Sequence, residues 1–322
     1  MTQDIRLSRE IPEELAGQRL DQALAELFSE YSRARLQQWI RDGQVRVNAE
    51  HWRSKDKVRG GERVEIDARV APREDWQAEA LPLDIVYEDE ALLVIDKPAG
   101  LVVHPAAGNR AGTLLNALLH YAPELAHIPR AGIVHRLDKD TSGLMVVART
   151  LTAQKELVAQ LQARSVTREY ECVVVGVLTA GGTVDAPIGR HPVQRKRMAV
   201  VAGGKPAVTH YRVLERFRGH SHLRVRLETG RTHQIRVHLA HVRHPLVGDP
   251  VYGGRLRLPA GASDPLIGCL RGFKRQALHA ARLSLMHPVS GQSVQWESAL
   301  PADMAELLAV LREDAALEGN ES

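Results

Sequence analysis

Between residues 92 and 228 the chain reads as a succession of strands, and this pattern limits the folds open to it more than any other feature. LLVID (92–96), GLMVVAR (143–149), YECVVVG (170–176), HYRVLERF (210–217) and HLRVRLE (222–228) are rich in β-branched and alternating apolar residues. Leu223, Val225 and Leu227 recur every second residue, so they face inward together. Helical patterns between these runs are few: a short one over Thr113–His120, and one over Thr152–Ala163 with Leu157, Val158 and Leu161 on one face. A parallel doubly wound sheet needs a helix after nearly every strand. The expectation is therefore an α+β domain built on a central, mainly antiparallel sheet.

A smaller unit precedes it, over about Ile5–Ile66. Leu20, Ala23, Leu24 and Leu27 share one helix face. Ser32 can cap a second helix carrying Leu36, Trp39 and Ile40, with Arg33, Arg35 and Arg41 on or near its polar side and Asp42-Gly43 ending it. Val45, Val47, Val64 and Ile66 alternate with polar neighbours as half-buried strands do. Residues 68–84, ARVAPREDWQAEALPLD, carry two prolines and no sustained period, which is the composition of a linker. The expected division is residues 1–67, linker 68–84, and residues 85–322. With 322 residues, 44% of them hydrophobic, the chain can bury two cores, which excludes a disordered chain.

The net charge is only +4, but the basic residues are not spread evenly. Residues 31–63 hold nine Lys or Arg against four acids, and residues 190–275 hold 18 against four. The stretch from Pro301 carries six acids and one Arg. Stripes of one sign mark a surface for a polyanion, and nucleic acid is the expected partner; a merely solvated basic face is the plainer alternative. Cys172 and Cys269 are the only cysteines, too few for a disulfide scaffold or a cysteine zinc site. MTQDIRLSRE has no apolar targeting core, and no uncharged apolar run approaches the roughly 18 residues of a membrane span. The expectation is a cytoplasmic protein with no membrane association.

Two runs carry chemistry. HRLDKDTSG (135–143) sets Asp138 between Arg136 and Lys139, ahead of the turn residues Thr141, Ser142 and Gly143; an Asp that only closes a loop would look the same. ETGRTHQIRVHLAH (228–241) follows a strand and places Thr232 as the expected N-cap of a helix. Ile235, Leu239 and Val242 lie on its core side, and Arg231 and Arg236 are placed to approach an anion. His238, His241 and His244 recur every third residue, yet no HExxH glutamate accompanies them, so no metal is expected. Ser142 lacks a GxSxG frame, Gly203-Gly204-Lys205 is followed by Pro206 rather than Ser or Thr, and no GxGxxG occurs. Carboxylate chemistry on a polyanion remains, without metal or cofactor.

DKPAGLVVHP (96–105), GIVHRLDKDTSGLMVVAR (132–149), TREYECVVVG (167–176) and LETGRTHQIRVHLAH (227–241) resemble the successive motifs of the RluA-type RNA pseudouridine synthases. Residues 17–48 resemble the S4 RNA-binding domain that precedes the catalytic domain in some members. The resemblance implies a pseudouridine synthase fold and an isomerisation of uridine to 5-ribosyluracil. The implied substrate is bacterial 23S rRNA, at its helix 69 stem-loop, or a large-subunit precursor, with no cofactor and no obligate protein partner. It implies that Asp138 is the nucleophile; attack on the ribose and attack on the base both call for this one residue. It further implies that Arg236 pairs with Asp138, that the Tyr170 ring lies against the target base, and that Arg136 enters the helix where the uridine leaves. His135, Arg231 and Ile235 fall at the substrate, Arg33, Arg35, Arg41 and Arg46 at RNA, and Lys97 and Pro98 behind the catalytic loop. One departure concerns the S4 turn, where Ala49 stands in place of the usual Gly after Asn48. Two alternatives follow from the residues alone: an rRNA-binding assembly factor without catalysis, and a glycosidase using Asp140 as a second acid.

Overall fold

The computed structural model describes residues 3–28, 31, 33–70, 76–105, 109–194 and 197–320. The chain divides into two compact units, Met1–Trp76 and Gln77–Ser322.

In the smaller unit β1 (Gln3–Glu10), α1 (Leu20–Leu27), α2 (Arg33–Arg41), β2 (Val45–Val47) and β3 (Arg63–Val70) follow one another. β3 is the centre of a three-stranded antiparallel sheet. Leu20, Ala23 and Leu24 of α1 and Leu36, Trp39 and Ile40 of α2 are buried against Val45, Val47, Val64 and Ile66. The 3.6-residue stripes of the helices and the two-residue stripes of the strands thus meet in one core. β1 has only Ile5 and Leu7 in alternation, too faint a pattern to announce a strand, and its pairing with β3 supplies what the pattern lacks. β3 runs to Val70, past the first residues of the stretch read as linker. The Ser32 cap lies outside the described residues. Asn48 and Ala49 are both left-handed, at φ 48° and 66°, and close a turn in which Val47 and Glu50 exchange backbone hydrogen bonds. Asn48 tolerates that conformation and its Oδ1 accepts the Arg63 N–H at 2.9 Å; Ala49 holds it at a cost a glycine would not incur.

The larger unit contains β4 (Ile85–Glu88), β5 (Leu92–Lys97), α3 (Leu114–Tyr121), β6 (Ser142–Ala148), α4 (Leu151–Gln162), β7 (Thr167–Val175) and β8 (Gly182–Asp185). It continues with β9 (Ile188–Arg190), β10 (Met198–Val200), β11 (Val208–Arg216), β12 (His220–Leu227), α5 (Gln234–His241), α6 (Asp264–Gly272), β13 (Leu278–Met286), β14 (Ser293–Glu297) and α7 (Ala302–Asn320). One large sheet runs in the order β4-β5-β6-β13-β7-β12-β11-β8, with β14 paired to β13. Only β6 and β13 are parallel, so the sheet is mainly antiparallel, as the strand-rich sequence predicts. β9 and β10 form a separate ribbon.

All seven residues of β6 are buried. Gly143, second in that strand, sits at φ 112°, and a Cβ there would fall 2.4 Å from the Ala280 carbonyl oxygen. Only glycine lets β13 close on β6 at this point, and this closure fixes where the preceding loop ends. α7 packs Met304, Leu307, Leu308 and Leu311 against Leu266 and Leu270 of α6. Its acids are not turned away from the basic stretch: Asp314 binds Arg218 at 3.1 Å and Asp303 binds Arg275 at 2.6 Å. Part of the stretch read as linker belongs to this unit, because Asn116 Nδ2 donates to the Gln77 carbonyl and Glu79 caps the Gly112 N–H.

Candidate active site

The loop before β6 presents Asp138. Leu137 is buried and anchors it, and the Thr141 N–H bonds to the Asp138 carbonyl at 3.1 Å to close a turn. Lys97, 1% exposed at the end of β5, donates its ammonium to the carbonyls of Lys139 (2.9 Å), Pro98 (2.7 Å) and Leu101 (3.0 Å). Burial pushes its pKa down to about 8, against the pull of Asp140 and Asp138. Arg275 Nη1 holds the Asp140 carbonyl at 3.2 Å, and Gln276 Nε2 bonds to Thr141 Oγ1 at 3.1 Å. The loop backbone is therefore tied from both sides, and Arg136 and Lys139 stand exposed around the Asp138 carboxylate.

Arg236, in the first turn of α5 and 5% exposed, binds Asp138 Oδ2 with Nη1 at 2.9 Å. Its Nε and Nη2 make a bidentate pair with Asp249 at 2.8 and 2.9 Å. Asp249 also accepts the backbone N–H groups of Val251 and Tyr252, at 2.8 and 3.0 Å. Burial opposes the charge on both partners, and the pairing outweighs it: Asp249 is held below the usual carboxylate range and Arg236 is raised. The sequence runs 98 residues between Asp138 and Arg236, and the fold brings them to one ion pair with a second acid behind it.

The start of α5 differs from expectation. Thr232 is exposed and is not the N-cap; His233 takes that place in a left-handed conformation with φ 56° and no side-chain cap. Gln234 draws the chain into this shape, its Oε1 accepting from Thr229 Oγ1 and the Arg231 N–H, and its Nε2 donating to the Val208 carbonyl and Thr209 Oγ1. The consequence is that the His233 ring turns toward Asp138, with Nε2 3.9 Å from Oδ1. Its Nδ1 lies 2.9 Å from the Tyr252 hydroxyl, which itself accepts the Met198 N–H. The hydroxyl can donate its own proton to Nδ1, an arrangement that puts the proton of the neutral ring on Nε2, facing Asp138. Burial keeps that ring below the ordinary histidine range, in opposition to Asp138.

These groups open onto one cavity of about 630 Å³. Asp138, Tyr170, Arg236, Arg136, His135, Arg231 and Ile235 all line it. Tyr170 is 5% exposed, and burial raises its hydroxyl pKa. His135 accepts the Val146 N–H on Nε2 at 3.1 Å, and burial pushes its pKa down to about 3, so it forms a neutral wall. Arg231 Nε donates to the Pro206 carbonyl at 3.1 Å. Arg130, Arg164 and Arg168 bring the arginines in the lining to six, against Asp138 and Glu228. Glu228 is engaged by His210 at 2.7 Å and Arg164 at 3.4 Å. Asp140 is absent from the lining.

Sequence reasoning missed Arg168, His233 and Asp249. Arg168 had a signal: it sits two residues before Tyr170, on the same face of β7. Asp249 left a fainter one, as one of four acids in the basic stretch and within a Gly-Asp-Pro turn. His233 left none, because its conformation depends on Gln234. Of the three spaced histidines, His238 bonds to Thr209 Oγ1 and the Ala186 carbonyl, and His244 lies against the Val175 carbonyl. Among the described residues no three His, Cys, Asp or Glu converge as metal ligands, and no helix is long and apolar enough to cross a membrane.

In the smaller unit Arg46 and Arg41 are exposed, Arg41 donating to Gln38 at 2.6 Å. Arg35 is half-buried. Arg33 instead holds the fully buried Asp21 at 2.6 Å, with Gln37 and Arg19 as further donors. Burial would raise the Asp21 pKa, and these partners together hold it below the usual range.

Residues 91–241 match the family described as RNA pseudouridylate synthase, and residues 18–64 match the S4 domain. The chain is 61% identical over 314 residues to the ribosomal large subunit pseudouridine synthase D of Pseudomonas aeruginosa, with 98% of each chain covered. It is 59% identical over 315 residues to the protein of that name from Escherichia coli K12, covering 98% of this chain and 97% of that one. Among solved structures, Human RNA Pseudouridylate Synthase Domain Containing 4 aligns with a TM-score of 0.56 at 27% identity, covering 71% of this chain and 93% of that one.

Proposed function

Because this chain belongs to the RNA pseudouridylate synthase family, we propose that it converts specific uridines of large-subunit ribosomal RNA to pseudouridine, at the helix 69 stem-loop, with Asp138 as nucleophile. The observation that carries the reading is the chain Asp138–Arg236–Asp249 at the edge of a single arginine-lined cavity. Asp138 attacks the uridine, the glycosidic bond to nitrogen breaks, and the base is rejoined to the ribose through C5; the bond to Asp138 is released, C5 gives up its proton and N1 takes one up, so the product is an isomer of the substrate. Arg236 keeps the attacking carboxylate charged and aimed once RNA shuts water out, because its geometry is already set by Asp249 before substrate arrives. No residue here has to move to create that alignment.

The target base has to leave its stack to reach Asp138, which costs a few kcal/mol. Arg136, exposed beside the nucleophile, takes the vacated place, while the Tyr170 ring supports the base. Arg130, Arg164, Arg168 and Arg231 meet the phosphates on either side. The S4 unit adds affinity through Arg41 and Arg46. A-form RNA hides its deep groove from side chains, so the choice of site rests on shape and on unpaired bases. A glycosidase would need a second working acid, and among the described residues the only other acid lining the cavity, Glu228, is already bound by His210 and Arg164.

The test is pseudouridine mapping by carbodiimide primer extension on 23S rRNA from cells lacking the gene, complemented with wild type or Asp138→Asn. Stops in helix 69 should vanish on deletion and return only with wild type. If every stop persists while ribosomal subunit profiles change, an rRNA-binding assembly factor is the correct reading instead.

A further inference from the structure

A second cavity of about 530 Å³ lies on the far side of the Asp249 turn. Its floor is apolar, from Leu246, Leu270 and Phe273, and its rim carries Arg243, Arg255, Arg257 and Lys274. Among the described residues none of those four cations forms an ion pair. The one acid in the lining is Asp249, whose oxygens are already taken by Arg236 and two backbone N–H groups, so nothing neutralises the rim. His220 also lines the cavity; it is 1% exposed, and its Nδ1 has no hydrogen-bond partner. A buried polar nitrogen without a partner is costly to the fold, which is a reason to look for a ligand that satisfies it. Burial pushes the His220 pKa down to about 4, against the pull of Asp314, so at neutral pH the ring is uncharged and suits a base edge rather than a phosphate. Arg243 is held at φ 69°, the left-handed position after α5 that glycine fills without strain. A strained cation on the rim points the same way.

We propose that this cavity binds one unpaired nucleotide of the RNA substrate, its base on the Phe273 and Leu246 floor beside His220 and its phosphates on Arg255, Arg257 and Lys274. The proposal rests on the reading of the chain as a synthase acting on structured RNA. Apolar floor, uncharged buried hydrogen-bonding group and cationic rim together match a base with its backbone. The two cavities share a wall, since Arg236 lines the first and Asp249 the second. A nucleotide seated in the second would press on the turn that holds Arg236 in register with Asp138. Placement of a flanking base would thus be read next to the catalytic pair.

The experiment uses the full-length protein and an rRNA stem-loop in which each unpaired nucleotide near the target is replaced in turn by an abasic residue. Leu256→Glu, an exposed position lining the cavity, puts a carboxylate among the cations without disturbing the core. One abasic position should raise the wild-type Kd about tenfold, the contribution of one stacked base, and should have no added effect on Leu256→Glu. Equal losses in wild type and Leu256→Glu at every abasic position would overturn the proposal. Absence of pseudouridine with wild type on every RNA would instead be a failure of the synthase reading, whatever the binding shows.

Discussion

Arg236 makes three charge-assisted hydrogen bonds to two carboxylates while 5% exposed, so a change at either acid is felt at the other. Asp249→Ala would leave a buried guanidinium half unpaired and should destabilise the protein by about 3–5 kcal/mol, read from urea unfolding. Asp249→Asn keeps the shape and removes the charge that fixes Arg236. It should lower kcat at least tenfold with substrate KM little changed; an unaltered kcat would show that Arg236 is placed by other contacts. Asp138 and Arg236 were legible in the sequence because each sits in a run of unusual residues. Asp249 was not, since an Asp before Pro in a turn is common and its partner is named only by the fold. At Ala49 the opposite holds: the departure was visible, and the backbone at φ 66° shows what it costs. Ala49→Gly should raise stability by about 1 kcal/mol, measured as a shift in the unfolding midpoint of the smaller unit.

The loop that carries Asp138 depends on what lies beneath it. Lys97 caps three carbonyls, and Gly143 allows β13 to approach β6 within a distance no side chain permits. Lys97→Met preserves the volume of the stem but leaves those carbonyls without a donor in a buried place. It should cost about 1–3 kcal/mol in stability and lower kcat in the same variant, because the Lys139 carbonyl adjoins Asp138. A normal kcat at reduced stability would separate the support from the chemistry. Strand runs were readable wherever apolar residues alternated or clustered, as in β5, β6, β7, β11 and β12. β1 escaped notice with two apolar residues in eight, and the N-cap of α5 was misplaced at Thr232 because the Gln234 side chain, not a hydroxyl, organises that turn.

For the whole molecule the histidines set the response to acid. Burial holds His135 at about 3 and His104 and His220 at about 4, all below the 6.5 of an unfolded chain. Between pH 6.5 and about 4 the unfolded chain takes up protons that the native state refuses. The stability these rings contribute is therefore full above 6.5 and is lost as the pH falls, by up to about 1.4 kcal/mol per pH unit for each such histidine. Thermal midpoints at pH 7.5, 6 and 5 should decline in that order; a flat series would contradict the burial of these rings. The charge-rich stretches were visible in the sequence, but only the fold shows that α7 neutralises part of one through Asp303 and Asp314. On the proposed reaction Asp138 performs the chemistry and not the binding. The direct measurement is single-turnover conversion of a helix 69 stem-loop by purified wild type and Asp138→Asn, with Kd determined for both on the same RNA. Asp138→Asn should bind within a few-fold of wild type and yield no pseudouridine. Measurable product from Asp138→Asn at saturating enzyme would contradict it.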